Sequence, residues 1–148
     1  MPLVSGFKFR HRFDDGRLLS TLLARHAARS VLQPQALLPV PMHPQRLRQR
    51  GFNQSLEIAR AVGHRLGIPV LPRMMQRIRH TPPQRELISE ERLVNLHHAF
   101  AAPTPLAAIH VALVDDVMTT GATAQTLSQG LRQAGAERVS VWVAARTV

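Results

Sequence analysis

Two apolar runs on either side of a helical segment constrain the fold more than any other feature of this sequence. Ile109–Val114 is a near-continuous apolar run, which is typical of a strand buried on both faces. Val139–Ala145 is a second, β-branched run, and Ala122–Ala134 between them has helical character with Gly135 as its C-terminal stop. A strand, a helix and a strand of these lengths predict a βαβ unit with a right-handed crossover.

An earlier part of the chain has the same organisation. Ala36–Val40 predicts a short buried strand, Asn53 is the expected N-cap of a helix that Gly67 closes, and Ile68–Leu71 predicts the next strand. Two such units predict an α/β protein with a mainly parallel sheet flanked by helices. Ligands of these sheets bind beyond the carboxyl ends of the strands, so the segment after the first strand of each unit is a candidate site.

Two further helices are expected outside these units. An apolar stripe at helical spacing predicts one that ends before Pro34, and its members are Leu19, Leu22, Leu23, Ala27 and Val31. Ser89 is the expected cap of a short helix that runs to about His98. The length of 148 residues fits one domain, and the 45% of apolar residues excludes a disordered tail.

The segment from Asp115 to Thr123 gives the clearest indication of a binding site. We expect it to be a loop after the strand that ends at Val114. A Thr- and Gly-rich turn at a helix start offers backbone N–H groups, hydroxyls and the positive end of the helix dipole, which together suit a phosphate monoester. Two adjacent carboxylates at a strand end are costly to bury unless a ligand compensates them. A ribose 5-phosphate matches this arrangement: its phosphate would bind at the turn, and its two vicinal hydroxyls would face the carboxylates that precede the turn.

The basic residues lie almost entirely in the first two thirds of the chain. The formal net charge is +10, with sixteen basic against six acidic residues over positions 1–100 and three against three over 101–148. Arginine suits phosphate because its planar fork binds two oxygens at once. Arg46, Arg48 and Arg50 would point to one side if their loop were extended, and would then face a diphosphate. A phosphorylated small molecule and a nucleic acid both fit this charge.

The thirteen residues VALVDDVMTTGAT, from Val111 to Thr123, resemble the phosphoribosyl diphosphate (PRPP) signature of the type I phosphoribosyltransferases. The resemblance implies a parallel sheet flanked by helices, a flexible hood, and binding of PRPP with Mg²⁺. It implies that Asp115 and Asp116 are the catalytic acids that hold the ribose 2- and 3-hydroxyls. It also implies that the 5-phosphate is bound by the following loop, which consists of Thr119, Thr120, Gly121, Ala122 and Thr123.

Two further blocks resemble the ComF/GntX-type branch of this superfamily: VPMHPQRLRQRGFNQSLEIA at 40–59 and RHTPPQRELISEERLVNLHHAF at 79–100. The resemblance implies one domain over 1–148, with a hood or flexible loop at about 73–100 that closes over PRPP. It adds five expected substrate-binding residues, namely Met42, Arg50, Asn53, Arg79 and Gln84. Members of this branch usually begin with a cysteine-rich zinc-binding segment, which we expect to be missing because the chain has no cysteine.

The resemblance leaves two functions open. One is a phosphoribosyltransferase that takes PRPP and Mg²⁺, transfers the phosphoribosyl group to an unidentified nitrogen acceptor and releases pyrophosphate. The other is an accessory protein of competence or DNA uptake that keeps the PRPP-type pocket and binds nucleic acid through its basic face. We expect no set of side chains that binds a metal by itself, no signal peptide, no membrane partner and a cytoplasmic location. Whether the chain forms a homodimer is left open.

Overall fold

The structure is a computed structural model that describes residues 13–77, 100–101 and 109–147. The hood helix expected near Ser89 and the site residues Arg79 and Gln84 lie outside these ranges, so those expectations stay predictions. In chain order the elements are α1 (Phe13–Ala27), β1 (Ala36–Pro39), α2 (Pro44–Arg50), α3 (Gln54–Leu66), β2 (Gln76–Arg77), β3 (Phe100–Ala101), β4 (His110–Met118), α4 (Ala122–Gln133) and β5 (Arg138–Arg146).

Within the described ranges, the main sheet has the order β1-β4-β5, and both pairs of strands are parallel. The predicted late unit is confirmed, because α4 connects two parallel neighbours, β4 and β5. The expected strand at Ile68–Leu71 is wrong: only Val70 forms a parallel bridge, to Leu37 of β1. Proline at 69 and 72 removes backbone donors from this segment, and such residues limit a ladder of hydrogen bonds.

The core lies on both faces of the sheet. Helices α1 and α3 cover one face with a cluster that includes Leu23 and Ile58, and this cluster contains Ala112 and Val114 of β4. On the other face α4 contributes Leu127 and Leu131 to a cluster that contains the alternate residues of β4 at 111 and 113. Positions 111–114 of β4 are completely inaccessible to solvent. The prediction of a strand buried on both faces is therefore confirmed.

Helix α1 is shorter than the apolar stripe predicts. It ends at Ala27, and Val31 is 96% exposed rather than buried. The Gln33 amide donates hydrogen bonds to the carbonyl oxygens of Ala27 (2.9 Å) and Ser30 (3.0 Å), so a side chain satisfies the carbonyls that a longer helix would have used. The apolar stripe therefore predicts too long a helix, because it does not register the Gln33 side chain, which bonds to carbonyls at and just after the helix end at Ala27.

Candidate functional site

Strand β4 continues past the apolar run to Met118, so the expectation that Asp115 and Asp116 lie in a loop is wrong. Asp115 is aligned with Val143 of β5, and Met118 is aligned with Arg146. The parallel ladder with β5 supplies backbone partners for these residues, and it therefore extends the strand through the polar positions. Because they are part of the sheet, the two acids have a backbone much more firmly fixed than that of a loop.

Asp115 is the most strongly perturbed acid at this edge of the sheet. Its Oδ1 accepts hydrogen bonds from the Ser55 hydroxyl of α3 (3.0 Å) and from the backbone N–H of Asp116 (2.8 Å). Burial raises the pKa of the Asp115 carboxyl from 3.8 to about 7, and the neighbouring Asp116 adds to the rise through its charge and a side-chain hydrogen bond. Asp115 therefore changes protonation near neutral pH, where an incoming ligand can decide its state.

The loop between β4 and α4 surrounds a surface hollow of about 250 Å³, a volume that includes solvent at its open side. Six of the predicted site residues line it, and they are Asp115, Thr119, Thr120, Gly121, Ala122 and Thr123. Gly121 has a φ of 82°, a left-handed conformation that glycine adopts without steric cost. The turn thereby brings one carboxylate, three threonines and the start of a helix around the same space.

The N-terminus of α4 differs from those of the two preceding helices. His43 caps α2 and Asn53 caps α3, and each accepts a hydrogen bond from a first-turn backbone N–H. The N-cap of α4 is Gly121, which has no side chain that could accept such a bond. The N–H of Ala122 donates to the Thr120 hydroxyl over 3.4 Å. The positive end of the α4 dipole lies at this helix start, whose residues line the hollow.

Asn53 ties the first strand to the start of α3, as its predicted N-cap role requires. Its Oδ1 accepts from the N–H groups of Ser55 (3.0 Å) and Leu56 (3.4 Å), while its Nδ2 donates to the carbonyl oxygen of Val40 (3.1 Å). The N–H of Val40 in turn donates to the carbonyl of Val114 (2.9 Å). The Asn53 amide is thus engaged by the protein itself, and its expected contact with substrate stays a prediction.

We expect Asn53→Ala to lower the free energy of unfolding by about 1–2 kcal/mol, because the N-cap and the link to Val40 are both lost. Asn53→Ser is the matched comparison, since its hydroxyl still provides an oxygen for the cap and it removes the Nδ2 donor without adding a charge. Urea unfolding of the three proteins measures the difference. If alanine and serine cost the same, the stabilising contact is the bond to Val40 and the cap contributes nothing.

The arginines after β1 do not form the extended row that their alternation suggests, and this expectation is wrong. Pro44–Arg50 is a helix, because Pro44 starts it with a preset φ and Gly51 ends it with a φ of 82°. Arg46 and Arg50 are then one turn apart on one side and are half-buried, whereas Arg48 lies on the other side and is exposed. Met42 is half-buried in the segment before this helix. The described lining of the hollow includes neither Met42 nor Arg50.

Ser55 is a residue that the sequence did not single out for the site. It is buried, at 4% exposure, and its hydroxyl contacts Asp115, 60 positions further along the chain. Gln54, which the sequence offers beside Asn53 as a polar group for the site, is also buried, and its Nε2 has no hydrogen-bond partner. The available signal for Ser55 was its place two residues after the N-cap Asn53, at the start of a helix that follows a strand end.

In the described parts of the chain, no three His, Asp or Glu side chains come together as a metal site. None of the helices in those parts has the length and apolar character needed to cross a membrane.

No family model matches this chain, but it is similar to several known proteins. It is 38% identical over 152 residues to "Competence protein F" of Haemophilus influenzae, covering 97% of this chain and 66% of that protein. It is 36% identical to "DNA utilization protein YhgH" of Escherichia coli K12, covering 99% of this chain and 67% of that protein. The chain thus spans about two thirds of the length of these relatives.

Solved structures show the same fold at low sequence identity. The PRPP amidotransferase of Bacillus subtilis, solved with ADP and GMP, superposes with a TM-score of 0.58 at 20% identity, over 87% of this chain and 26% of that one. Adenine phosphoribosyltransferase of Thermoanaerobacter pseudethanolicus gives a TM-score of 0.55 at 13% identity, over 93% and 84% of the two chains. The predicted fold class is therefore confirmed.

Proposed function

This chain belongs to the ComF/GntX-type family of the type I phosphoribosyltransferase superfamily, and from that premise we propose that it binds PRPP with Mg²⁺ and transfers the phosphoribosyl group to a nitrogen acceptor. One observation carries the proposal. The buried carboxyl group of Asp115 and the start of α4 line the same hollow. A ligand with hydroxyls at one end and a phosphate at the other has the chemistry that such a hollow selects.

The 5-phosphate is assigned to the turn at Thr119–Thr123. Backbone N–H groups at the start of a helix bind phosphate oxygens, and the helix dipole favours their negative charge. The hydroxyls of Thr119 and Thr120 are exposed at this turn, so they are accessible as additional donors. Glycine at 121 is required by its φ of 82° rather than by space, because a Cβ placed there would make only an ordinary contact, with Met118 Sδ at 3.6 Å.

The ribose hydroxyls are assigned to Asp115 and Asp116. The charged group acting on Asp115 is another acid, and no cation offsets it among the groups that set its pKa. Hydroxyl donors from a ligand therefore stabilise the ionised form, which burial otherwise disfavours. In this proposal the ligand hydroxyls compensate the two carboxyl groups that follow the buried apolar run of β4.

The diphosphate is assigned to the segment after β1, with Arg46 and Arg50 as the cationic side chains, because these two are half-buried on one side of α2. Mg²⁺ fits the oxygen donors of this edge of the sheet, since it prefers carboxylate, phosphate and water oxygens. The Mg²⁺ ion would bind to the oxygens of PRPP and would offset the negative charge of the diphosphate. Asp115 and Asp116 hold the hydroxyls beside it.

The proposed reaction exchanges one bond at C1 of the ribose. The C1–O bond to the diphosphate breaks, a C1–N bond forms, pyrophosphate leaves with the bonding electron pair, and the acceptor nitrogen loses a proton. The protein contributes orientation and electrostatic stabilisation of the charge that develops, rather than a covalent intermediate. The acceptor is an unidentified nitrogen nucleophile, and a cytoplasmic location stays a prediction.

Calorimetric titration with Mg–PRPP tests the proposal. The wild type is expected to bind, and Asp115→Asn/Asp116→Asn is expected to bind at least about tenfold more weakly, a loss of about 1.4 kcal/mol. Glu137→Gln is the control, because Glu137 is exposed beside the start of β5, at the other end of the sheet. The proposal fails if the wild type does not bind or if the double variant binds equally well.

A second candidate is an accessory role without transfer, and the relatives' names favour it. They are called a competence protein and DNA utilization proteins. The net charge of +10 is compatible with a polyanion as partner. In this case Mg–PRPP binds but no pyrophosphate is released with ammonia, nucleobases or glutamine.

Salt dependence tests the nucleic-acid part of that role. We expect the affinity for a single-stranded oligonucleotide to fall steeply between 50 and 200 mM salt, because arginines displace counterions from the phosphates. Fluorescence anisotropy at several salt concentrations measures the slope. Binding that is unaffected by salt would contradict an electrostatic contact with DNA.

A further inference from the structure

Both hydrogen bonds to one oxygen of Asp115 come from the protein. Oδ1 accepts from the Ser55 hydroxyl at 3.0 Å and from the Asp116 N–H at 2.8 Å. A carboxylate oxygen has two lone pairs in the carboxyl plane, so these two donors occupy its favourable directions. The rotation of the carboxyl group is then restricted by one donor from its own strand and one from helix α3, in addition to its side-chain hydrogen bond with Asp116.

We propose that Ser55 is a positioning residue for Asp115: by holding Oδ1, it presents Oδ2 to the ligand in the hollow. The inference rests on the proposed function, because it concerns the acid assigned to the ribose hydroxyls. Ser55 does not line the hollow among the described residues, whereas Asp115 does. Its effect on a ligand is therefore exerted through the carboxyl group.

Among the described residues the buried serines are Ser20 and Ser55, and their hydroxyls make different hydrogen bonds. Ser20 of α1 is 3% exposed and donates to the carbonyl of Gly16 in its own helix, at 2.7 Å. Ser55 is 4% exposed and donates across the fold to another element. A serine that only satisfied its own hydroxyl would resemble Ser20, which makes Ser20 a matched control.

A chain of hydrogen bonds fixes the position of Ser55 relative to the sheet. Val40 N–H donates to the carbonyl of Val114, the Asn53 amide donates to the carbonyl of Val40, and the N–H of Ser55 donates to Asn53 Oδ1. The Ser55 hydroxyl then closes the ring at Asp115, the residue after Val114. The start of α3 is thus held to β4 directly at the Asp115 carboxyl group and indirectly, through Val40, at Val114.

The surroundings of Asp115 give the direction of the expected change. Asp116 is the charged group that acts on it, α3 places Ser55 against it, and β5 places Val143 beside it. The hydrogen bond from Ser55 favours the ionised carboxylate and so lowers the pKa of Asp115. Ser55→Ala should therefore raise that pKa and allow the carboxyl group to rotate.

The experiment compares the wild type with Ser55→Ala, Ser55→Thr and Ser20→Ala, using two measurements. The first is the pKa of the Asp115 carboxyl without ligand, from its ¹³C resonance. We expect Ser55→Ala to raise it by about half to one pH unit, and the other two variants to leave it nearly unchanged. The second is the pH profile of Mg–PRPP affinity, which should rise at correspondingly higher pH in Ser55→Ala, with a loss of about two- to fivefold at pH 7.

The two measurements separate this inference from the proposed function. If no variant or wild type binds Mg–PRPP, the proposed function fails, and the pKa shift alone decides whether Ser55 positions Asp115. A folded Ser55→Ala protein with an unchanged Asp115 pKa and unchanged affinity overturns the inference. Equal effects of Ser20→Ala and Ser55→Ala on the affinity would also overturn it, since they would indicate a general loss of stability.

Discussion

Asp115→Asn is expected to raise the free energy of unfolding at pH 8 by about 4 kcal/mol and to change it little at pH 4. The folded-state pKa of Asp115 is about 7, against an ordinary value of 3.8, because the carboxyl is buried beside Asp116. The stability that this group contributes is therefore complete below about pH 4 and is lost as the pH rises through 7. Asparagine resembles the protonated carboxyl, so the variant avoids that loss.

Urea unfolding between pH 4 and pH 8 measures the effect as the difference between the two proteins, which removes the contribution of other titrating groups. Glu137→Gln is the control, since Glu137 is an exposed acid and its replacement should leave the pH dependence unchanged. A difference between Asp115→Asn and wild type that is constant over this range would contradict the buried, raised-pKa state of Asp115. If the variant also loses Mg–PRPP binding, the predicted result would show that Asp115 lowers the stability of the folded protein and is required for ligand binding.

Gly63→Ala is expected to lower the free energy of unfolding by about 2 kcal/mol, whereas Gly130→Ala is expected to raise it by up to about 1 kcal/mol. Both glycines lie inside helices, where alanine is intrinsically favoured. At Gly63 a Cβ would lie 2.6 Å from the backbone oxygen of Ile68 and 2.8 Å from Val70 Cγ2. At Gly130 the closest atom is Met75 Cε at 2.9 Å, the flexible end of a side chain that can move.

Thermal and urea unfolding of the two single variants decide this comparison. The two substitutions should change the free energy of unfolding in opposite directions. The reason is that the Ile68–Val70 segment is fixed by its bridge to β1 and by the hydrogen bond from Ile68 N–H to the Gly63 carbonyl (3.0 Å). Equal stabilisation by both substitutions would mean that α3 does not pack against this segment as closely as described. Equal destabilisation would mean that Met75 is held as rigidly as a backbone atom.

Local patterns were sufficient to predict several elements. The apolar runs of β4 and β5, the helix between them, and the cap at Asn53 depend on residues that are neighbours in sequence, and each is confirmed. The phosphate turn at Thr119–Thr123 was also predictable as a turn before a helix, because threonine and glycine favour that conformation locally. Its occupation by phosphate remains a proposal.

Other features depend on partners that a local pattern does not contain. The strand extends through Asp115 and Asp116 because β5 offers a ladder, although polar residues by themselves suggest a loop. Arg46, Arg48 and Arg50 look like an extended row, but Pro44 and Gly51 bound a helix that separates Arg48 from the other two. The contact between Ser55 and Asp115 joins residues 60 positions apart and has no periodic signal.

The sequence by itself determined the alternation of strands and helices, the order of acids and phosphate turn, and the family resemblance, since all of these are carried by consecutive residues. Only the tertiary structure decided which oxygen of Asp115 is already occupied, which helix starts have a side-chain cap, and how far β4 runs. These depend on burial and on hydrogen bonds between distant segments. The pKa of Asp115 shows the difference: the residue type sets 3.8, and the fold raises it to about 7.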